Sequence, residues 1–229
     1  HFVFNLECKE HYNRKLEKLP HWWGNNILRE AMASGACEVT ALCDVDSRSA
    51  SRAVNKYPNV PHFKDFRVML DKMGDQIDAV AISTPDHTHF PVAMAAMERG
   101  KHVFVQKPLA HNIWQVRTLR KAAQHYKVIT QMGNQGHASP MRRTIKEILN
   151  TGVIGPVREV HVWADRAWGL QDAASAEKFD KPHGFYNGLP IVDRFKEEML
   201  IPANMNWDLW TGPAPARPFH ATYFPGPRW

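Results

Sequence analysis

The sequence predicts an α/β protein: a Rossmann-type doubly wound parallel sheet, then a change of sheet type where a second domain begins. Three observations carry this. Between Gly24 and Gln135, short apolar runs alternate with amphipathic stretches of helical length, the pattern of βαβ units. The runs are apolar at consecutive positions, as in Ala79-Val80-Ala81-Ile82, which marks strands covered on both faces. Polar residues then close each run: Asp44, the 83–86 segment, Gln106-Lys107 and Gln131. Ligands of such sheets bind beyond the carboxyl ends of the strands, so the chemistry is expected there.

The elements follow in order. Ile27, Leu28, Ala31 and Met32 sit at helical spacing, with Gly35 as the stop. Residues 39–43 read as a buried strand ending at Asp44, and 47–57 as a helix stopped before Pro58. Asp65 can cap a short helix through Met73. A second buried strand spans 78–83, then a helix spans 89–99, closed by Gly100. The third strand covers 102–105. Ile113, Val116, Leu119 and Ala123 mark the apolar stripe of a longer helix, and 128–131 form the fourth strand. A helix over 141–150 closes at Gly152. Residues 157–164 alternate polar and apolar, as a strand with one solvated face does. The expected division is an atypical segment over 1–23, a nucleotide-binding domain over 24–150, incomplete at its start, and the opening of a second domain over 151–229, with the boundary near 139–155.

Composition narrows the function classes. Of 229 residues, 44% are hydrophobic and 23% charged, which excludes a disordered or collagen-like chain. No apolar run approaches the ~20 residues of a spanning helix. The net charge of +6 comes from scattered basic residues, not from the clustered stripe of a nucleic-acid binder. Cys8, Cys37 and Cys43 form no C-x-x-C pair and read as reduced thiols. The chain starts at His1 without a signal-peptide pattern, and its last residues show no element ending, so a cytoplasmic fragment is expected.

The candidate site residues lie at the strand ends. An acid ending the second strand of a dinucleotide fold accepts the adenosine ribose hydroxyls and repels a 2′-phosphate, so Asp44 favours NAD over NADP. Gly24 lies twenty residues before it, the spacing from glycine loop to acid. The plainer reading is a turn that Asp44 starts with Asp46 and Ser47. G-x-G-x-x-G itself is absent. The stretch 7–18 is polar and helical in character, and 1–6, the one candidate first strand, sits far upstream. Ser83-Thr84-Pro85 offers small hydroxyls and a shaped turn to a flat cofactor. His87 and His89 lack a third ligand at convincing spacing, so metal binding is not expected, and N-capping by Asp86 or Thr88 is the plainer role. Lys107, held between a buried strand and Pro108, can stabilise developing oxyanion charge; a solvated surface lysine is the competing reading.

These motifs, with Thr130-Gln131-Met132-Gly133-Asn134-Gln135 and Trp207-Asp208-Leu209-Trp210-Thr211-Gly212-Pro213, resemble the glucose–fructose oxidoreductase / inositol dehydrogenase / rhizopine-catabolism protein family. The resemblance implies an NAD(P)-dependent oxidoreductase that moves a hydride between nicotinamide and a sugar, polyol or sugar derivative. It also implies a second α/β domain with an open, largely antiparallel sheet, of which only the truncated start is expected here, and a homo-oligomer when full length; scattered charge and short apolar runs point to no nucleic-acid or membrane partner. Lys107 matches the catalytic lysine of the family's Glu-Lys-Pro. Asp44 matches the ribose-binding acid, and Ser83, Thr84, Pro85 and His89 match the cofactor-lining strand end. Gln106 replaces the more usual Glu and can still bond the nicotinamide ribose, but it cannot hold Lys107 charged. Gln135 falls on the nicotinamide side. The glycine loop is missing, and the chain stops before the family's later histidine, so the fragment alone is not expected to turn over. An NAD-dependent glycoside hydrolase of the same fold and a non-catalytic sugar- or nucleotide-binding fragment are the alternatives.

Overall fold

A computed structural model describes residues 2–6, 23–35, 37–162, 174, 195–221 and 223. The expected helical stretch over 7–18, with Cys8, lies outside them. The chain forms two units, one from His1–Asn134 and Pro202–Ala216, the other from Gln135–Ile201 and Arg217–Trp229. The sequence reading gave all of 151–229 to a second domain. Pro202–Ala216 nevertheless groups with the first unit, through hydrogen bonds described below.

In the first unit, β2 (Cys37–Cys43) pairs in parallel with β3 (His62–Phe63). The strands β4 (Ala79–Ile82), β5 (His102–Gln106) and β6 (Thr130–Gly133) form a second parallel set. Between the sets runs β1 (Phe2–Leu6), hydrogen-bonded to β2 and lying against β4. The hydrogen-bonded sheets are β1-β2-β3 and β4-β5-β6, and with β1 lying against β4 the strands follow in space the 3-2-1-4-5-6 order of a doubly wound dinucleotide fold. One strand departs from it. β1 is antiparallel to β2, with Val3 opposite Ala41 and Leu6 opposite Cys37. The upstream run thus fills the place of the first strand, but in reverse.

The layers follow from strand composition. Every residue of β4 is buried, because helices cover both faces. Val80 and Ile82, with Val103 and Val105 of β5, pack on α3 (Phe66–Met73), α4 (His89–Glu98) and α5 (Ile113–His125). Ala81 and Phe104 turn to the other face, with Leu28 of α1 (Trp23–Ala33) and Ala53 of α2 (Ser47–Lys56). Alternate side chains of one strand therefore feed two separate cores.

Local chemistry sets the boundaries. Asp46 and Asp65 cap α2 and α3 by accepting from the Arg48 and Arg67 amides. No side chain caps α4. Instead Asp86–Thr88 forms a 3₁₀ turn, and the Thr88 hydroxyl donates to the Pro85 carbonyl (2.9 Å), so the capping expected of Asp86 or Thr88 is corrected. The fourth strand starts later than expected, because Lys127 is left-handed (φ 54°) and the Val128 amide donates back to Ala123, finishing the turn after α5.

The second unit contains α6 (Pro140–Asn150), none of whose residues is buried. Residues 157–162 form no strand and lie exposed, against expectation; residues 163 and 164 lie outside the description. A period-two pattern becomes a strand only beside a partner, and none is present among the described residues. Elsewhere in this unit Phe195 stacks on His220 at 4.1 Å, and the Met199 amide donates to the Phe219 carbonyl (2.9 Å). No described helix is long and apolar enough to cross a membrane.

Two predictions follow from these contacts. A Cβ on Gly133 would clash with Gln106 Oε1 and sit 2.9 Å from Phe104 Cζ. Gly133→Ala is expected to cost about 1–3 kcal/mol in urea unfolding, and Gln106→Ala in the same chain to recover part of that loss. Asp65 is held below the usual carboxylate range, chiefly by the side-chain hydrogen bonds of Arg67. A carboxyl whose folded value is depressed contributes stability at neutral pH that is lost as pH falls through that value. Replacing it by Asn should therefore flatten the acid limb of a thermal-stability profile below about pH 4 and leave the limb above pH 7 parallel to wild type.

Candidate functional site

The site is assembled at the carboxyl ends of β2, β4 and β5. Asp44 leaves β2 buried, and its Oδ1 accepts from the Asp46 amide at 2.9 Å. Asp46, fully buried, accepts from the Arg48 amide (2.9 Å), the Ser49 hydroxyl (2.7 Å) and Asn204 Nδ2. The turn-forming reading of Asp44 and Asp46 is therefore realised, and it also fixes where the Asp44 carboxyl sits.

A cavity of about 420 Å³ opens between β2 and β4. Cys43 and Asp44 line one side, Thr84, Pro85 and Thr88 another, and Lys64 to Arg67 a third. A short helix, α7 (Trp207–Thr211), contributes Asp208, Leu209 and Trp210, and Gly212 and Pro213 complete the wall. Its size is within the ordinary range of small-molecule sites. Burial pushes the Cys43 thiol up to about 12, so it acts as apolar wall and not as a nucleophile. Arg67 grips Asp65 through Nε to Oδ1 (3.0 Å) and Nη2 to Oδ2 (2.7 Å), which raises the guanidinium further and commits its fork to that carboxylate.

Lys107 lies on the same edge. Ile82 of β4 is in register with Val105 of β5, and Thr84 and Lys107 each come two residues later. Lys107 is exposed and joined to Pro108 by a cis peptide bond. The fully buried His89 braces the two loops: Nδ1 lies 2.6 Å from the Pro108 carbonyl oxygen and Nε2 lies 2.9 Å from that of Thr84. Its ring nitrogens thus meet backbone, and its contribution to the site passes through the loops it joins.

The remaining expected residues spread out. Ser83 is half-buried at the end of β4, outside the cavity lining. Gln106 is buried, its amide lying across Gly133. Gly24 falls in the first turn of α1 and Gln135 in a 3₁₀ turn of the second unit. Lys64, Arg67 and 208–210 were not singled out as site residues, because their place at the cavity depends on long-range folding. For 208–210 the visible sign is the Trp207–Pro213 motif, which marks the family resemblance without assigning a site.

The described residues fit the adenosine half of a dinucleotide. Thr84 Oγ1 is buried at the cavity without a hydrogen-bond partner, and Asp44 offers a carboxyl to ribose hydroxyls. A glycine-rich phosphate loop is not part of the fit, since the sequence holds no G-x-G-x-x-G. Among the described residues, no group of three His, Cys, Asp or Glu could hold a metal.

Comparison with known proteins gives the family and the fold. The family described as an oxidoreductase family with an NAD-binding Rossmann fold matches residues 20–134. The uncharacterized oxidoreductase YdgJ of Escherichia coli K12 is 40% identical over 91 residues, 39% of this chain and 26% of that one. Inositol 2-dehydrogenase of Salmonella typhimurium LT2 is 30% identical over 139 residues, 60% of this chain and 41% of that one. This chain thus spans less than half the length of these relatives. The WlbA dehydrogenase of Thermus thermophilus, solved with NAD and UDP-GlcNAcA, superposes with a TM-score of 0.52 at 19% identity, covering 57% of this chain and 44% of that one, a likeness of fold. With half its length matched by the family model and its strands in dinucleotide-fold order, this chain belongs to the Gfo/Idh/MocA oxidoreductase family.

Proposed function

We propose that this protein binds NAD across the carboxyl edge of its parallel sheet and serves hydride transfer to or from a sugar or polyol. The observation that carries the reading is one edge holding an acid and an orphaned hydroxyl around a cavity, with a lysine in register beside them. Bound nicotinamide would supply the hydride acceptor or donor. Asp44 accepts the ribose hydroxyls, Thr84 and Pro85 bound the adenosine, and Lys107 exchanges a proton with the substrate oxygen that becomes carbonyl or hydroxyl. Its exposed position on the edge leaves Nζ open to a polar substrate. Inositol 2-dehydrogenase among the relatives supports a polyol or sugar as that substrate.

NAD is favoured over NADP on electrostatic grounds. A 2′-phosphate would stand beside the Asp44 carboxyl, while the nearby Arg67 fork is already occupied by Asp65. Lys64 alone is weak compensation at an exposed position.

Two measurements test the reading. In NADH and NADPH titrations, Asp44→Ala should weaken NADH binding about tenfold and narrow the gap to NADPH. Equal affinity of the wild-type chain for both would overturn the assignment of NAD. With a panel of sugars and polyols, Lys107→Ala in the full-length protein should lower kcat about 10²-fold or more while the NADH Kd moves less than about threefold. Unchanged kcat would remove Lys107 from the reaction.

A further inference from the structure

Segment 204–213, which holds the last of the motifs that resemble the family, starts 70 residues beyond the end of the matched NAD-binding stretch. It nevertheless returns to the carboxyl edge of the sheet and is fastened on both sides of the cavity. On the β2 side, the Ser47 amide donates to the Asn204 carbonyl (3.0 Å), the Asn206 amide donates to Val45 (2.9 Å), Met205 bridges Asp46, and Asn204 Nδ2 donates to the Asp46 carboxyl. On the β4 side, His87 Nε2 donates to the Trp210 carbonyl (2.9 Å). The close approach there needs a glycine. Gly212 has φ 52°, and a Cβ on it would meet Thr88 Cγ2 at 3.1 Å.

The anchors at Val45–Ser47 and at His87 flank the crevice between β2 and β4, and what lies between them is Asp208, Leu209 and Trp210. Trp210 is buried and stacked on Trp207 at 4.7 Å, which stiffens the segment. We propose that 204–213 is a cofactor-binding strap: Leu209 and Trp210 form the apolar wall against the adenine, and Asp208 is a second acid on the ribose side, facing the cavity with Asp44. The proposal rests on the dinucleotide reading above and deepens it. It accounts for how a site without a glycine-rich phosphate loop holds its ligand, because enclosure of the adenosine replaces backbone amides on the pyrophosphate. It also adds a carboxyl that disfavours a 2′-phosphate.

Calorimetry with ADP-ribose, NAD and nicotinamide mononucleotide tests this on the whole chain. Leu209→Ala is expected to raise the ADP-ribose Kd about tenfold, as loss of a buried apolar contact does, with nicotinamide mononucleotide unchanged. Asp208→Ala, at an exposed position where folding is not at stake, should raise it about threefold and narrow the NAD-to-NADP ratio. Circular dichroism checks that each variant is folded. Unchanged ADP-ribose affinity in Asp208→Ala and in folded Leu209→Ala overturns the strap and leaves the dinucleotide reading standing. Strap-dependent ADP-ribose binding with NAD no tighter than ADP-ribose supports the strap and removes the NAD reading of the nicotinamide half. A wild-type chain that binds none of the ligands overturns both.

Discussion

A carboxyl group with no access to water has to find its hydrogen-bond donors inside the protein, and Asp46 is such a group. Its oxygens take the Arg48 amide, the Ser49 hydroxyl and the Asn204 amide, while its own amide is given to Asp44. One residue therefore starts α2, aims the neighbouring acid and holds a segment that arrives 158 residues later in the sequence. Removing any of these donors would leave an unmet acceptor in the interior, at a cost of about 1–3 kcal/mol. That cost makes the turn after β2 rigid, and the cavity inherits its shape from the turn.

A second constraint comes from the sheet. Its central strands are buried on both faces, so they offer a ligand nothing except their ends. The ends of β4 and β5 are then tied to each other by the His89 ring between two backbone carbonyls. This brace keeps the loop of Lys107 and the loop of Thr84 at a fixed spacing. In the roles proposed above for Lys107 and Thr84 their alignment would depend on this tie, since a shift of about 1 Å at a reacting centre costs orders of magnitude in rate.

The reversed first strand explains why the family resemblance is strong along the edge and absent at the phosphate loop. With Leu6 opposite Cys37, the carboxyl end of β1 lies at the far end of β2 from Asp44. The order of strands is kept, because the gap between β2 and β4 has to be filled by some apolar strand, and a strand of either direction can bond to β2.

The sequence by itself determined whatever depends on neighbours a few residues away. Asp65 before Phe66 and the runs of β2, β4 and β5 were legible because caps and consecutive burial write themselves into short windows. Asp44, Thr84 and Lys107 were legible as strand-end residues for the same reason. The tertiary structure alone decided three things: the direction of β1, the exposure of 157–162, and the return of Asn204 to Trp210 over the cavity. Each depends on whether a distant partner completes a backbone ladder or a buried carboxyl. Local spacing carries no record of a partner 158 residues away; only the closed fold supplies it.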